Sequence, residues 1–169
     1  DAVTAGGGIY ISAGGLYLAS STLSGNTAGS FGGGAITTYA GGVVATNSTI
    51  SGNEAGRGGG IRTFGGSLLL TNLTISDNTA TTAGGGIYNE DATATLHNTI
   101  VAANGAPNGP DIRIMNTSPT GSHNLIGDGS SVSGLVDGVD GNRVGSAAAP
   151  LDSRLGPLAE NGGPTQTMT

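Results

Sequence analysis

The sequence predicts an all-β fold, a parallel β-helix, and three features of the chain lead to this prediction. A glycine cluster that ends in Ile recurs four times, with the Ile at positions 9, 36, 61 and 87. An Asn follows each of these Ile residues 17 positions later: Asn26, Asn53, Asn78 and Asn104. The segment from that Asn to the next glycine cluster varies, with six, four and five residues. A block of fixed length that alternates with a variable corner is typical of paired strands joined by turns, because loops accept insertions and paired strands do not.

Apolar columns inside the block predict the buried faces of the strands. Counted from the Ile as zero, they lie at positions seven, nine and fourteen: Leu16, Val43, Leu68 and Ala94; Leu18, Ala45, Leu70 and Leu96; Leu23, Ile50, Ile75 and Val101. Positions seven and nine have the period of two that marks a strand with one buried face. The columns lack helical spacing, and a period of roughly 26 residues built of strands alone indicates a solenoid. We expect three short strands per rung and about five to six rungs, stacked at ~4.8 Å into a body ~25–30 Å long.

Polar and glycine columns predict the corners between these strands. Gly6, Gly33, Gly58 and Gly84 open the glycine clusters, where tight packing or a positive φ excludes a Cβ. A phosphate-binding loop does not fit these clusters, because its motif needs a Lys and the chain has none. The Asn residues at position seventeen, together with Asn47, Asn72 and Asn98 at position eleven, are expected to form structural ladders in which stacked amides hydrogen-bond from rung to rung.

Composition narrows the classes of protein. The 169 residues fit one domain, and 34 of them are Gly without the period of collagen. A net charge of −6 opposes nucleic-acid binding, which needs basic surface. The absence of Cys removes disulfides and zinc–thiolate sites. No apolar run approaches the ~18 residues of a membrane span, so we expect none in this segment.

The chain divides into three parts. Residues 1–104 hold four regular repeats, residues 105–143 a degenerate rung and a loop, and residues 144–169 an extended tail that serves as a cap or an inter-subunit segment. The dipeptide HN at 97–98 recurs at 123–124, which predicts that the register persists into the fifth rung. Asp1–Ala5 has the texture of the variable turn, so the chain looks cut from a longer polypeptide.

The repeats resemble those of polymorphic outer-membrane proteins and related bacterial β-helix surface proteins, through "GGGI…LSGN", "GGAI…ISGN", "GGGI…ISDN" and "GGGI…VAAN". The segments "SHNLIGD" and "VGSAAAPLDSRLGPLAENGGPTQTM" look like the closing part of secreted bacterial right-handed parallel β-helix proteins of the choice-of-anchor Q type. The resemblance implies a right-handed helix and a secreted or cell-surface location in a bacterium. It supplies no catalytic residues.

The sequence contains few groups of residues that could form a metal-binding or catalytic site. Asp137, Asp140 and Asn142 offer oxygen ligands for Ca²⁺, the one cofactor that the sequence suggests, although acids flanked by glycine also form turns. The acids of the repeats share no column, and adjacent Glu90 and Asp91 face opposite sides of a strand. The pair of carboxylates that a glycosidase needs is therefore not evident.

These observations favour a non-enzymatic structural protein of the cell surface or extracellular matrix. Uncovered β-helix ends expose unpaired backbone groups, so copies of the chain would join head to tail into a filament or adhesive stalk. The alternative is a carbohydrate-binding or polysaccharide-cleaving module, which needs acids with Arg or aromatic side chains on one exposed face. The expected partners are copies of the chain, other surface proteins or polysaccharide, and not nucleic acid.

Overall fold

The computed structural model describes residues 6–169 as a helix of β-strands joined by turns. The turn predicted at residues 1–5 lies outside this part of the chain. Four rungs and a shorter fifth follow one another along the chain. Their strands are β1 (Ile9–Ile11), β2 (Gly15–Ala19), β3 (Thr22–Ser24), β4 (Ile36–Tyr39), β5 (Gly42–Thr46), β6 (Thr49–Ser51), β7 (Glu54–Arg57), β8 (Ile61–Phe64), β9 (Ser67–Thr71), β10 (Thr74–Ser76), β11 (Thr79–Ala83), β12 (Ile87–Glu90), β13 (Thr93–His97), β14 (Ile100–Ala102), β15 (Ile112–Met115), β16 (Thr120–Ser122), β17 (Leu125–Ile126) and β18 (Arg143–Val144).

Strands of successive rungs pair in parallel and form three large sheets, one for each side of the helix, and a fourth sheet of two strands, β7 and β11. The first sheet has the order β1-β4-β8-β12-β15, the second β2-β5-β9-β13-β16, and the third β3-β6-β10-β14-β17-β18. Each crossover between paired strands is therefore one complete rung. The predicted all-β fold, a parallel β-helix with three sides, is confirmed.

The predicted apolar columns stack in register and fill the interior. The Ile residues at positions 9, 36, 61 and 87 pair successively in the first sheet, and Ile112 continues them. The column of Leu23, Ile50, Ile75 and Val101 pairs in the third sheet and continues in Ile126. From the second rung onward these side chains are almost completely buried and belong to one core. Each Ile or Leu contributes about 1.5–3 kcal/mol by leaving water.

The variable segment is partly a strand, which the three-strand prediction lacked. Glu54–Arg57 pairs in parallel with Thr79–Ala83, although the second segment is one residue longer. A register shift between Ala80 and Ala83 accommodates the extra residue as a bulge. Ala55 and Ala80 are buried, so this corner is packed as well as variable.

The predicted register of the two HN dipeptides is wrong by one residue. His97 pairs with Ser122, and the backbone N–H of Asn98 donates to the carbonyl of Ser122, which places His123 opposite Asn98. The fourth rung, from Ile87 to Ile112, is 25 residues long rather than 26. The two His residues therefore do not stack.

The C-terminal end of the core is covered by the chain itself. Leu135 belongs to the buried core cluster, and Val132 packs against it, in the loop before β18. The tail beyond β18 then runs along the outside of the third sheet. The Leu151 N–H donates to the Gly127 carbonyl in the fifth rung, and the Thr22 hydroxyl in the first rung donates to the Gln166 carbonyl.

Candidate functional site

A buried ladder of amides runs through the corner that follows the third sheet. The Nδ2 groups of Asn26, Asn53 and Asn78 each donate to the Oδ1 of the next Asn, at 2.8, 2.8 and 2.9 Å, and Asn104 is the last Asn of the series. Each Oδ1 also accepts the backbone N–H of the preceding Asn. The interior Asn side chains therefore satisfy backbone groups of two rungs that would otherwise be buried without partners.

Asp111 ends this ladder, a role that the sequence did not indicate. Its Oδ1 accepts the N–H and Nδ2 of Asn104, and its Oδ2 accepts the N–H of Asp128 at 2.6 Å. Burial raises the pKa of this carboxyl above its ordinary value, and the hydrogen bonds from Asn104 and Asp128 oppose that rise. A signal was present, since Gly109-Pro110-Asp111-Ile112 takes the place of a fifth Gly-Gly-Gly-Ile cluster.

The second predicted ladder lies on the surface. Asn72 Nδ2 donates to Asn47 Oδ1 at 2.9 Å, and Asn98 Nδ2 donates to Asn72 Oδ1 at 2.8 Å. All three side chains are exposed. Their φ angles lie between 49° and 57°, in the left-handed region that Asn tolerates better than most residues. Asn is therefore suited to this corner both by its backbone and by its amide.

A third ladder of polar side chains lies one position after the exposed Asn ladder in each rung, on the inside of the same corner. This ladder includes Asn142. The Oδ1 of Asn124 accepts the Thr99 N–H, and the Oδ1 of Asn142 accepts the N–H and Nδ2 of Asn124. Asn142 Nδ2 donates to the Gly121 carbonyl. The sequence did not reveal this ladder because its members change type from rung to rung.

Two of the three residues suggested for Ca²⁺ have other side-chain contacts. Asn142 is buried in that ladder, and Asp137 Oδ1 accepts the Val144 N–H and lies 3.8 Å from Arg143 Nε. Asp140 is exposed in a turn with φ of 51°. Between residues 6 and 169 no three His, Cys, Asp or Glu side chains gather closely enough to hold a metal ion. Calcium binding here stays a prediction.

The corner glycines lie where a side chain would meet backbone. A Cβ built on Gly6, Gly33, Gly58 or Gly84 would stand 2.1–2.5 Å from the carbonyl oxygen of the Ile three residues later. Gly58 and Gly84 also have φ of +61° and +63°. Gly109 repeats this geometry against Ile112 in the fifth rung. The glycine clusters are thus explained by the sharp entry into the first sheet.

The outward face of the first sheet carries most of the aromatic side chains. Tyr10, Tyr39 and Phe64 follow one another on three successive rungs, with ring centroids 6.1 and 5.8 Å apart. Phe31 lies beside them at the variable corner. Tyr10, Phe31 and Phe64 are 49%, 48% and 41% exposed. Single exposed aromatics are ordinary on protein surfaces, but a contiguous set indicates a binding surface.

Arginine side chains hold these rings in place. Arg62 is buried, its Nη1 donates to the Tyr39 hydroxyl at 2.7 Å and to the Phe31 carbonyl, and its Cζ lies 5.3 Å from the Tyr39 ring. Arg57 lies between two rings, 5.7 Å from Phe31 and 5.5 Å from Tyr88. We call this surface the aromatic–arginine face. It consists of Tyr10, Phe31, Tyr39, Arg57, Arg62, Phe64, Tyr88 and Arg113.

The sequence did not predict this face because its residues come from different columns. Tyr10, Arg62, Tyr88 and Arg113 lie one position after the column Ile, Tyr39 and Phe64 lie three positions after it, and Phe31 and Arg57 lie in the variable segment. The parallel register brings these groups onto one side. Glu90 is an acid beside them, and its Oε2 lies 3.5 Å from the Tyr88 hydroxyl.

The stacked rungs define the chain as a β-solenoid protein, and ladders of polar side chains run along its corners. The family model of the right-handed β-helix region matches residues 3–109, which is more than half of the chain. The chain therefore belongs to the right-handed β-helix family. Searches of curated proteins and of solved structures each found no match. Among residues 6–169 there is no helix long and apolar enough to cross a membrane.

Proposed function

We propose that this chain is a non-enzymatic β-helix of the bacterial cell surface or extracellular matrix, and that it binds carbohydrate along the aromatic–arginine face. The observation that carries the proposal is the row of Tyr10, Tyr39 and Phe64 on three neighbouring rungs. The resemblance of the repeats to bacterial surface proteins supports the location. The binding role develops the carbohydrate alternative that the sequence left open.

A sugar chain fits the chemistry of this row. The C–H groups on one face of a pyranose ring are apolar and weakly positive, so they pack against the electron-rich face of an aromatic ring. Hydroxyl groups at the ring edge can then reach the Tyr hydroxyls and the arginines. From β1 to β15 the face spans four rung steps, which is about 19 Å along the helix axis. That length suits several units of an extended polymer.

The rigidity of the scaffold supports binding rather than catalysis. The face is formed by paired strands, and its Tyr39 is fixed by Arg62, so little side-chain entropy is lost when a ligand binds. Within the described residues, Glu90 is the acid that contacts a member of this face, through the Tyr88 hydroxyl. General acid–base cleavage of a glycosidic bond uses two carboxylates, so this arrangement favours a binding role.

Removing the exposed rings is expected to weaken glycan binding. The double variant Tyr10→Ala/Phe64→Ala should lower the affinity for the bound polysaccharide about tenfold, since each stacked ring contributes ~0.5–1.5 kcal/mol beyond its area. Affinity electrophoresis in gels containing dextran, laminarin, xylan, galactomannan, alginate or polygalacturonate measures this. Tyr17→Ala is the matched control, because Tyr17 is 72% exposed in the same rung as Tyr10 but on the second sheet. Equal losses in both variants, or retardation by none of the six polymers, would contradict the proposal.

Assembly of copies end to end is the second candidate. Ile9, Leu16 and Leu23 of the first rung are only partly buried, whereas their partners in the second rung are fully buried. A second copy would cover these side chains and pair with the edges of β1, β2 and β3. At the other end, Val132 and Leu135 already cover the core, so a head-to-tail contact would have to move that loop.

Electron microscopy of negatively stained protein distinguishes these arrangements. A head-to-tail assembly predicts filaments whose axial repeat is near the length of one chain, about 25–30 Å for five to six rungs. The double variant Leu16→Asp/Leu23→Asp should disperse the filaments, while Leu69→Asp on the exposed outer face of the second sheet should leave them intact. Dispersed single particles of the unmodified chain at high concentration would rule out the assembly.

A further inference from the structure

A cleft on the aromatic–arginine face carries two arginines whose charge no group within residues 6–169 neutralises. The cleft has a volume of about 290 Å³ and is lined by Arg57, Tyr88, Asn108, Arg113 and Met115, among others. Arg113 pairs in register with Tyr88 across β12 and β15, and Arg57 approaches the ring of Tyr88 from the variable corner at 5.5 Å. Both arginines therefore line the cleft together with this tyrosine.

Neither arginine forms an ion pair in the part of the chain that the structure describes. The only salt bridge within residues 6–169 joins Arg143 to Asp137, and neither of these residues lines the cleft. Glu90 follows Tyr88 by two residues in β12, yet its carboxylate is directed to the Tyr88 hydroxyl. The chain has eleven acidic residues and five arginines, so a cleft with two free cations is not a by-product of a basic composition.

Two like charges beside one cleft repel each other, and a bound anion removes that repulsion. A guanidinium offers a planar fork of N–H donors that matches a carboxylate, and such charge-assisted pairs are roughly twice as strong as neutral hydrogen bonds. Asn108 adds an exposed amide at the rim. The cleft volume lies at the lower limit of ligand pockets, which suits one charged substituent with part of one sugar ring.

We infer that this cleft binds the carboxylate of a uronic acid unit, so that the glycan held by the aromatic–arginine face is an acidic one. The inference rests on the proposed function and names the ligand class. The carboxylate lies between Arg57 and Arg113, and neighbouring units of the same polymer continue along the axis toward Phe64, Tyr39 and Tyr10. Arg62 positions the rings, because it is buried and its Nη1 donates to the Tyr39 hydroxyl and the Phe31 carbonyl, while its Nε has no hydrogen-bond partner within residues 6–169.

A single-stranded nucleic acid also combines anionic groups with stacking bases, but the surface favours a uronate polymer. Nucleic acid carries a charge on each nucleotide and needs a positively charged groove along its length. Among the described residues the solvent-accessible cations of this face, Arg57 and Arg113, lie at one cleft, and at the other end of the face Tyr10 pairs with Thr37 rather than with a cation. The inferred ligand needs one carboxylate, at the cleft, so it does not require cations along the whole face.

Binding of matched charged and neutral polymers tests the assignment. Alginate and polygalacturonate are each compared with their fully esterified forms, which keep the backbone and lose the carboxylate charge. The unmodified protein should bind at least one of the two acids at least about tenfold more tightly than its ester. Arg113→Gln and Arg57→Gln should each lower that affinity about tenfold, and Arg113→Lys should give an intermediate loss because it keeps the charge but not the fork.

Controls show whether a loss of affinity comes from the cleft, from the change in net charge or from loss of the fold. Arg154→Gln removes the same charge from the exposed tail and should leave the affinity within about twofold. Thermal unfolding of each variant checks that the β-helix is intact. Arg57 and Arg113 lie on different strands, so one variant remains informative if the other unfolds. A dextran sulfate arm and an oligothymidylate arm identify a sulfate ester or a nucleic acid as the preferred anion.

The outcomes distinguish this inference from the proposed function. Tighter binding of a uronate polymer than of its ester, lost in the cleft variants, supports it. Equal affinity for acid and ester, preference for the sulfate or the oligonucleotide, or unchanged binding in both arginine variants would overturn it. If only a neutral polysaccharide binds and Tyr10→Ala/Phe64→Ala weakens that binding about tenfold, the proposed function stands and the uronate assignment fails. If no glycan of either kind binds, both fail.

Discussion

Replacing Asn78 by Ala is expected to lower the free energy of unfolding by about 3–6 kcal/mol, because each buried polar group that loses its partner costs ~1–3 kcal/mol. The Asn78 side chain is fully buried. Its Oδ1 accepts the N–H and Nδ2 of Asn53, and its Nδ2 donates to the Ile50 carbonyl and to the Oδ1 of Asn104, among other acceptors. Alanine leaves the buried Asn53 N–H without its acceptor, and it removes one contact each from Asn53 Nδ2, the Ile50 carbonyl and Asn104 Oδ1 where water cannot replace it. Urea unfolding followed by circular dichroism measures the change.

The matched control is Asn72→Gly in the same rung. Asn72 belongs to the exposed ladder, and glycine adopts its φ of +57° without strain. Water replaces the lost amide contacts at the surface, so the loss should stay below about 1 kcal/mol. Similar losses in both variants would show that stacking of amides, rather than satisfaction of buried backbone, is what the ladders contribute.

The sequence predicted the repeat because its constraints recur in the same column. A core Ile, a corner glycine and a ladder Asn each face the same environment in every rung, so the same residue type returns. The prediction failed where one rung is shorter. The dipeptides HN at 97–98 and 123–124 are identical in sequence. The fourth rung has 25 residues, however, so the second dipeptide lies one position out of register with the first. Asp111 was missed for a related reason, since it enters the Asn ladder from the glycine column.

The candidate site could not be predicted in the same way. A binding face needs different side chains at neighbouring points, so its residues do not repeat in a column. Arg57 reaches Tyr88 only because the variable segment folds back as a packed strand, which its sequence did not suggest. Asn142, one of the residues suggested for Ca²⁺, also belongs to the polar ladder, where its Oδ1 accepts the Nδ2 of Asn124. Turn composition alone could not reveal that contact.

Replacing Gly84 by Ala is the second change with a large expected effect. The new Cβ would stand 2.5 Å from the Ile87 carbonyl oxygen and 2.8 Å from the Tyr88 Cβ, at a φ of +63°. The left-handed conformation costs a residue with a Cβ ~1–2 kcal/mol, and the forced shift of backbone adds ~1–3 kcal/mol. The free energy of unfolding should therefore fall by about 2–5 kcal/mol. Chemical denaturation at equilibrium measures it.

Gly52→Ala separates the two causes, because Gly52 has nearly the same φ, +66°, and nothing lies within 4 Å of the point that its new Cβ would occupy. This variant should lose only the ~1–2 kcal/mol of the backbone conformation. The additional loss of unfolding free energy in Gly84→Ala then measures the cost of the steric overlap where the chain enters the first sheet. Because that entry fixes Ile87 and Tyr88, relief of the overlap would displace Tyr88 from the cleft that it lines with Arg57 and Arg113. Gly84→Ala should therefore also weaken glycan binding, whereas Gly52→Ala should not, and equal stability losses in the two variants would refute the steric account of the glycine clusters.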